Sequence, residues 1–340
     1  MIIRSKAPLR LGLAGGGSDV SPYSELYGGN VLNATINLSA YCSLEPLNKP
    51  VARIMAADAG IRMEVPLGTG PLHSGALLVD GVFNRVVRDF GPLPTPGFAI
   101  STYNDAPAGS GLGTSSTMVV CILKCFAEWM GIPLGNYELA RLAYEIERKD
   151  LFLSGGKQDQ YAAAFGGFNF MEFLPSDLVI VNPLQLKTWV VHELEASLLL
   201  YFTGRSREGA AIIEQQQKAT RAGRSEAVEA MHRIKQSASD MKLALLQGDL
   251  PAFARILGAA WEDKKKMADA ITNPMIQEAF DVALASGAIS GKVSGAGGGG
   301  FIMLMVPPEK KYDVGAALSA LPGKVVPFQF TQEGAVAWKL

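Results

Sequence analysis

Residues 107–116 read Pro-Ala-Gly-Ser-Gly-Leu-Gly-Thr-Ser-Ser, and the apolar run 118–123 follows almost directly. Alternate glycines mixed with hydroxyl side chains are typical of a loop that leads into a buried helix. The first amides of a helix lack intrahelical acceptors and lie at the positive end of the helix dipole, so they can hold a phosphate. Glycines at 109, 111 and 113 would let the backbone curl around it with positive φ. The stretch therefore predicts a phosphate-binding loop.

The loop by itself leaves two interpretations open. It is not a Walker A sequence, because no lysine follows the last glycine. A Gly/Ser loop before a helix is also a common capping turn. A strand predicted over 97–103 precedes the loop and a helix predicted over 115–130 follows it, which is the order a phosphate site requires. In that interpretation Ser115 and Ser116 offer hydroxyl groups to a phosphate-bound Mg²⁺.

Composition and charge exclude several classes of protein. The chain has 340 residues, 48% of them hydrophobic, and a formal net charge of −1, which predicts a globular protein with room for two cores. Its 31 basic and 32 acidic residues are interspersed, so no nucleic-acid partner is expected. The densest basic cluster is Lys264–Lys266, whose plain interpretation is a solvated helix face. Because no N-terminal signal segment and no run of about 18 apolar residues occurs, we expect a cytoplasmic protein with no membrane partner.

Cysteine and histidine usage predicts no zinc site. Cys121 and Cys125 lie four positions apart on one face of a predicted helix, as small core residues, and Cys42 is alone. The three histidines are scattered along the chain. No His/Cys set has the spacing that zinc ligands require.

The order of predicted elements indicates the fold class. Strand-like segments dominate the first part of the chain and include 188–193 and 198–203. Long amphipathic helices are predicted between 208 and 285, followed by a strand, a helix over 308–321 and a terminal strand near 324–330. This order predicts an α+β fold with an N-terminal domain, residues 1–190, and a C-terminal domain, residues 191–340.

Three more glycine-containing stretches bring polar residues to the ends of predicted elements. In 14–20, Asp19 follows three glycines at a strand end, where it could accept hydrogen bonds from sugar hydroxyls; a wide hairpin or bulge is the alternative. In 155–160, Gly-Gly-Lys-Gln-Asp-Gln, Asp159 precedes a buried segment, and a helix N-cap is the alternative. The third stretch, Lys292–Gly300, leads into a predicted strand.

Taken in order, these stretches resemble the motifs of the GHMP small-molecule kinases, and the match runs from Ala7 to about Phe301. Residues 107–116 are similar to the family's Pro-x-x-x-Gly-Leu-Gly-Ser-Ser phosphate loop, and 292–300 to its C-terminal glycine motif. The resemblance implies a two-domain α+β fold. An N-terminal mixed β-sheet domain would carry the phosphate-loop helix, and the C-terminal domain would be ferredoxin-like.

One departure from the commoner family pattern narrows the resemblance. Residues 15–19 read Gly-Gly-Gly-Ser-Asp where galactokinase-like members have Gly-Glu-His-Thr-Asp, which argues against galactose as the acceptor. Together with Tyr27–Ile36 and Gly-Gly-Lys-Gln-Asp-Gln-Tyr at 155–161, this variant looks most like the D-glycero-D-manno-heptose 7-phosphate 1-kinases. It also occurs in fucokinases.

The resemblance implies a role for each matching residue. Asp159 matches the catalytic carboxylate that receives or orients the hydroxyl proton, and Arg10 matches its basic partner. Glu147 matches the Mg²⁺-binding glutamate, with Ser116 completing the metal site; Glu145 lies about 200° away on the same predicted helix and would face elsewhere. The nucleotide phosphates are expected on Pro107, Gly109, Ser110, Gly111, Leu112, Gly113, Thr114, Ser115 and Ser116. The substrate is expected on Gly16, Gly17, Ser18, Asp19, Gly156, Gln158, Gly297 and Gly298, with Arg205, Arg207 and the Lys264–Lys266 cluster as candidates for its own phosphate.

The activity that the resemblance implies is Mg²⁺-dependent transfer of the γ-phosphoryl group of ATP to the anomeric hydroxyl of D-glycero-D-manno-heptose 7-phosphate. The product, a 1,7-bisphosphate, would serve nucleotide-heptose and surface-glycan synthesis. A kinase for a free sugar such as fucose or galactose, and a non-catalytic sugar and nucleotide sensor on the same fold, are the alternatives. A dinucleotide oxidoreductase is set aside, because no Gly-x-Gly-x-x-Gly follows a first strand with an acidic residue about 20 positions on. A homodimer is one candidate assembly.

Overall fold

The computed structural model describes residues 1–68, 70–205, 210–222 and 225–340. Within those ranges the strands are β1 (Ile3–Ala14), β2 (Gly29–Leu47), β3 (Val51–Ala56), β4 (Ile61–Pro66), β5 (Gly97–Asn104), β6 (Phe168–Phe173), β7 (Val179–Pro183), β8 (Leu198–Phe202), β9 (Ser290–Val293), β10 (Phe301–Met305), β11 (Lys324–Val326) and β12 (Val336–Lys339). The α-helices are α1 (Tyr23–Tyr27), α2 (Leu77–Phe90), α3 (Thr114–Met130), α4 (Asn136–Glu145), α5 (Gln158–Phe165), α6 (Thr188–Ser197), α7 (Ala210–Arg221), α8 (Ser225–Gln247), α9 (Leu250–Lys265), α10 (Pro274–Ala285) and α11 (Lys311–Leu318). A π-helical turn, Ile146–Asp150, continues α4. None of the described helices is long and apolar enough to cross a membrane.

A large mixed sheet is built on the long strand β2. β1 pairs antiparallel with one side of β2, and the other side is shared between β6 at residues 29–34 and β5 at residues 40–47. β3 and β4 extend the sheet beyond β5, and β7 pairs with β6. β3 and β5 run parallel, whereas the other described pairings are antiparallel. β12 pairs with β1, so the last strand of the chain closes against the first.

A smaller antiparallel sheet is formed by the C-terminal part of the chain. Its strand order is β11-β8-β10-β9. In chain order these are the fourth, first, third and second strands of a βαββαβ unit, with α7 to α10 in the first crossover and α11 in the second. This is the ferredoxin-like arrangement that the resemblance implies. The proposed domain boundary near residue 190 falls in α6, between β7 and β8.

Apolar packing joins the two sheets along β1. Leu9, Leu11 and Leu13 of β1 lie in one buried cluster with Leu200 of β8 and Phe253 of α9. A second cluster packs the large sheet against α2, α3, α4 and α5, and a third packs the small sheet against α10 and α11. Because burial of apolar surface is the main stabilising term in folding, the shared cluster holds the two halves in one relative position.

Several local expectations are corrected by the structure. The strand predicted over 188–193 is wrong: the segment is helix α6, and its buried Val190 and Leu194 are four residues apart, which is a helical spacing. The strand predicted near 324–330 ends at Val326, and β12 follows it. Cys42, which is isolated in the sequence, lies beside Cys125 and Cys121 in the structure. Burial raises the pKa of its thiol, and the neighbouring Cys125 raises it further.

Candidate active site

The alternation of side chains along β1 determines which of them reach a cleft between the two sheets. Leu9, Leu11 and Leu13 face the buried cluster, so Arg10 and Gly12 face the opposite side. That side lines a cavity of about 440 Å³. The cavity lies where β1, the phosphate loop, the start of α5 and the glycine stretch 294–299 meet. The two-residue period of a strand therefore places the Arg10 side chain at this junction.

The phosphate loop has the backbone conformation that its glycines predict. The φ angles of Gly109, Gly111 and Gly113 are 73°, 84° and 77°, and Gly113 directly precedes α3. The predicted loop residues that line the cavity are Gly109, Gly111, Gly113, Thr114, Ser115 and Ser116. Pro107 is exposed, and Ser110 and Leu112 are buried outside the cavity wall. The unpaired amides at the start of α3 are thus available to an anion in the cleft.

The C-terminal glycine stretch packs backbone to backbone against the phosphate loop. Ser294 Oγ donates to the Gly111 carbonyl at 2.9 Å, and the Phe301 amide donates to the Ser110 carbonyl at 3.0 Å. A Cβ atom added to Gly295 would lie 2.6 Å from Gly111 Cα, closer than real Cβ atoms approach. Gly297 lines the cavity, whereas the Gly298 amide donates to the Ile271 carbonyl, away from it. The segment that joins β9 to β10 of the small sheet therefore packs directly against the phosphate loop.

Arg10 and Asp159 form an ion pair at the centre of the cleft. Nε and Nη2 of Arg10 both lie 2.7 Å from Asp159 Oδ1, and Nη1 donates to the Gly111 carbonyl at 2.7 Å. Asp159 is not the N-cap of α5, because Lys157 holds that position. A Cβ atom added to Gly113 would lie 3.0 Å from Asp159 Cγ, so the carboxyl group packs against the residue that precedes α3. A carboxylate, a guanidinium and a helix N-terminus therefore surround one point, as phosphoryl transfer requires.

Glu147 faces the cavity, and Glu145 does not. Glu147 is 2% exposed and accepts from Ser115 Oγ at 2.8 Å and from Gln160 Nε2 at 2.7 Å. The same Gln160 nitrogen donates to Ser116 Oγ at 3.1 Å. Glu145 instead lies 2.5 Å from a guanidinium nitrogen of Arg85. The geometry separates the two glutamates as their angular separation on the helix predicts.

Glu147 and Ser116 present a donor set suited to Mg²⁺. Magnesium prefers hard oxygen ligands and usually takes one or two carboxylates, with phosphate oxygens and water in its other positions. Glu147 supplies one carboxylate and Ser116 one hydroxyl, with Gln160 joining them. Arg148 Nη1 lies 3.2 Å from Glu147 Oε1 and is the competing partner of that carboxylate. Sequence reasoning assigned no role to Gln160 or Arg148, since only their contacts distinguish them from other polar residues.

Asp19 is built into the wall of the cavity. It is 1% exposed, and its Oδ2 accepts the amides of Lys157 and Gln158 at 3.0 and 3.1 Å. Its Oδ1 accepts from Gln158 Nε2 at 3.0 Å and from the Gly17 amide at 3.1 Å. Asp19 therefore caps the N-terminus of α5, the helix that carries Asp159, from a distant part of the chain. The neighbouring Gly16, Gly17, Gly156 and Gln158 also line the cavity, whereas Ser18 is buried and donates to the Gly15 carbonyl.

Asp19→Asn is expected to lower the free energy of unfolding by about 2–4 kcal/mol, because the amide group would meet backbone N–H donors while buried. Urea unfolding followed by circular dichroism measures the loss. The control is Asp249→Asn, since Asp249 also caps a helix, α9, but is exposed. A loss in Asp19→Asn no larger than in the control would contradict the buried capping role.

Two lysines reach the cleft from the small-sheet half. Lys264 is 5% exposed, lines the cavity and donates to the Gly295 carbonyl. The solvated face expected for Lys264–Lys266 is therefore wrong for Lys264, whereas Lys266 is exposed and pairs with Asp263. Burial, and then Arg10, lowers the pKa of Lys264 to about 8. Lys292, also 5% exposed, donates to the Gly12 and Leu13 carbonyls at 2.8 and 3.2 Å.

Of the two arginines considered for a substrate phosphate, Arg205 can be located, and it does not line the cavity. Arg205 is exposed and is not part of the cavity wall; its carbonyl accepts the Gly300 amide at 2.9 Å. Arg207 lies outside the described residues. Ile213 and Gln216 of α7 also line the cavity.

Comparisons with known proteins identify relatives along the whole chain. Residues 77–167 match the GHMP kinases N terminal domain, and residues 241–324 match the GHMP kinases C terminal family. The chain is 47% identical over 339 residues to a D-glycero-alpha-D-manno-heptose 7-phosphate kinase from Campylobacter jejuni, with 99% of each protein covered. A crystal structure of a D-glycero-D-manno-heptose 1-phosphate kinase from Bacteroides thetaiotaomicron is 58% identical, with 99% of each chain covered and a TM-score of 0.84. An L-fucokinase/L-fucose-1-P guanylyltransferase from Bacteroides fragilis is 28% identical and is matched over 34% of its own length.

Proposed function

The chain belongs to the GHMP kinase family, and from that premise we propose that it transfers the γ-phosphoryl group of ATP to the anomeric hydroxyl of D-glycero-D-manno-heptose 7-phosphate. The observation that carries the proposal is full-length similarity, at 47% identity, to a kinase of that sugar phosphate. The cleft supports it, because it combines a phosphate loop with the Arg10–Asp159 pair. The product would be a 1,7-bisphosphate, for use in nucleotide-heptose and surface-glycan synthesis.

In this proposal the protein contributes position and charge. Asp159 orients the acceptor hydroxyl and takes its proton as the bond between that oxygen and the γ-phosphorus forms. The bond between the γ-phosphorus and its bridging oxygen breaks, and the electron pair leaves with ADP. The amides of the phosphate loop stabilise the charge on the phosphates, and Arg10 holds Asp159 in place.

Glu147 and Ser116 would hold Mg²⁺, with Gln160 fixing the positions of both. When bound, the ion neutralises negative charge on the nucleotide phosphates. Ser115, which donates to Glu147 at 2.8 Å, keeps that carboxylate in one orientation.

The names of the two heptose kinases that resemble this chain differ in the position of the acceptor phosphate, at carbon 7 in one and carbon 1 in the other. A coupled ADP-release assay with both heptose monophosphates, free heptose, fucose and galactose decides between them, with phosphorus NMR of each product. A new anomeric phosphate on heptose 7-phosphate is the expected result. Turnover of heptose 1-phosphate alone, or of a free sugar alone, would overturn the proposed acceptor.

The acceptor's own phosphate requires a basic site, for which Arg205 and Arg207 remain our candidates. Guanidinium groups bind phosphate oxygens well. The Arg205 carbonyl accepts a hydrogen bond from the amide of Gly300, which follows the cavity-lining Gly299. Arg205→Ala and Arg207→Ala should each raise KM for heptose 7-phosphate by about 10-fold, because each removes a charge-assisted hydrogen bond.

Free heptose is the control substrate for both variants, since its KM should not change. Lys324→Ala, on the exposed strand β11, is the control variant. An unchanged KM for heptose 7-phosphate would remove the corresponding arginine from the site.

A cytoplasmic location and a homodimer remain part of the proposal. The mass of the protein in solution tests the homodimer.

A further inference from the structure

The basic side chains that line the cavity are not all paired within the protein. Among the described residues, the lining carboxylates are Asp19, Glu147 and Asp159, and the lining basic residues are Arg10, Arg148, Lys264 and Lys292. Each arginine lies within ion-pair distance of a carboxylate. In the described part of the chain neither lysine has a carboxylate within that distance, and both are 95% buried. Burial, and then Lys264, lowers the pKa of Lys292 well below its usual value, so Lys264 is the buried cation that lacks a counter-charge, and this pattern indicates that a ligand supplies one.

The two lysines differ in how many of their donors are already used. Lys292 donates to two carbonyl groups of β1 and so ties the small sheet to the large one. Lys264 donates to one described acceptor, the Gly295 carbonyl, which leaves two of its three N–H groups for a ligand. Lys264 lines the cavity and lies within electrostatic reach of Arg10 and Asp19.

Backbone contacts connect Lys264 to the loop and the ion pair at the centre of the cleft. Its acceptor, Gly295, packs against Gly111 of the phosphate loop. The Gly111 carbonyl also accepts from Arg10, which holds Asp159. Backbone contacts therefore connect Lys264 to both the phosphate loop and Asp159.

We propose that the ammonium group of Lys264 binds an oxygen of the γ-phosphoryl group while that group is transferred. The proposal rests on the ATP-dependent activity above and not on the identity of the sugar. Arg10 is already neutralised by Asp159, so Lys264 would add a positive charge that no described carboxylate neutralises to the charge of the bound Mg²⁺. At pH 7 its ammonium form predominates, since its pKa is lowered only to about 8.

The first test compares the binding of AMPPNP and ADP by calorimetry, each with Mg²⁺, in the wild type and in Lys264→Met. Loss of a charge-assisted contact to the γ-phosphate should weaken AMPPNP binding about 10- to 100-fold and leave ADP binding unchanged. Lys264→Arg should retain part of the preference. Lys265→Met is the control, because Lys265 pairs with Glu262. Equal weakening of both nucleotides, or of neither, would overturn the proposal.

The second test is kinetic and separates this contact from one to the acceptor's phosphate. In Lys264→Met, kcat should fall about 10²-fold or more with either phosphorylated or free heptose. A rise in KM confined to the phosphorylated acceptor, with kcat retained, would assign Lys264 to the acceptor phosphate and overturn our proposal. If the wild type acts on neither heptose, the proposed acceptor fails, and the AMPPNP comparison still decides the role of Lys264.

A structural role for Lys264, through its hydrogen bond to the Gly295 carbonyl, would instead make Lys264→Met less stable than the wild type in the absence of ligand. Replacing a buried unpaired charge with an isosteric apolar side chain is commonly neutral or stabilising. Lys264→Met without ligand should therefore unfold at the same temperature as the wild type or higher. If the methionine variant does not purify as a folded protein, Lys264→Gln and Lys264→Arg allow the same nucleotide comparison.

Discussion

Asp159→Asn is expected to lower kcat by about 10³-fold and to change the KM for ATP little, since a positioned proton acceptor contributes about 10²- to 10⁴-fold. The amide is isosteric with the carboxyl group but cannot take the proton of the acceptor hydroxyl. It also leaves Arg10, which is 4% exposed, without its counter-charge. Steady-state kinetics with saturating ATP and varied acceptor measure the effect.

The control for this variant is Asp89→Asn. Asp89 also pairs with an arginine, Arg85, but it lies on α2 and is not part of the cavity wall. Its kcat should stay within about threefold of the wild type, because Asp89 does not line the cavity and Arg85 keeps Glu145 and Asp150 as partners. If Asp159→Asn retained wild-type turnover, Asp159 would not be the catalytic carboxylate. If the wild type were as slow as the variant on every sugar, a non-catalytic sensor would explain the site better.

Gly111→Ala is expected to lower the free energy of unfolding by about 2–4 kcal/mol and kcat/KM for ATP by about 10²-fold or more. Gly111 has φ of 84°, and an added Cβ would clash with the Ser294 carbonyl oxygen of the facing glycine stretch. The loop would have to move away from that stretch. The Arg10 hydrogen bond to the Gly111 carbonyl would be lost with it.

Gly131→Ala is the matched control for the steric part of this effect. Gly131 ends α3, the same helix that the phosphate loop begins, and has φ of 69°, but an added Cβ meets no atom within 4 Å. It should cost about 1 kcal/mol from backbone strain alone and leave kcat/KM unchanged. Thermal unfolding and ATP-dependent kinetics of the two variants separate strain from the clash. Equal effects would show that the contact between the two glycine stretches is unimportant.

Local signals in the sequence were sufficient for much of the fold and for the centre of the site. The glycines at 109, 111 and 113 predict positive φ, and all three angles lie in the left-handed region. The strand, loop and helix order around 107–116 is observed, and the alternation along β1 places Arg10 opposite the buried leucines. These features depend on the backbone freedom of glycine and on the two-residue period of a strand, which neighbouring residues determine.

Other expectations failed or stayed open because their outcome depends on residues far away in the chain. Thr188–Ser197 is a helix, since Val190 and Leu194 bury one helical face under the small sheet. Asp19 caps α5 across 138 positions, a contact that no local pattern indicates. Gln160 joins Glu147 and Ser116 through side-chain geometry alone.

The sequence by itself determined that a glycine-rich loop precedes a buried helix and that the chain resembles a family of small-molecule kinases. Only the tertiary structure decided which charges face the cleft. Lys264 and Lys266 belong to one basic run of three, yet Lys264 is buried against Gly295 and Lys266 is exposed. The physical reason is that burial is a property of the packed chain. Lys264 loses its contact with water only where the two halves of the protein meet at the cleft, whereas Lys266, two residues away, keeps it.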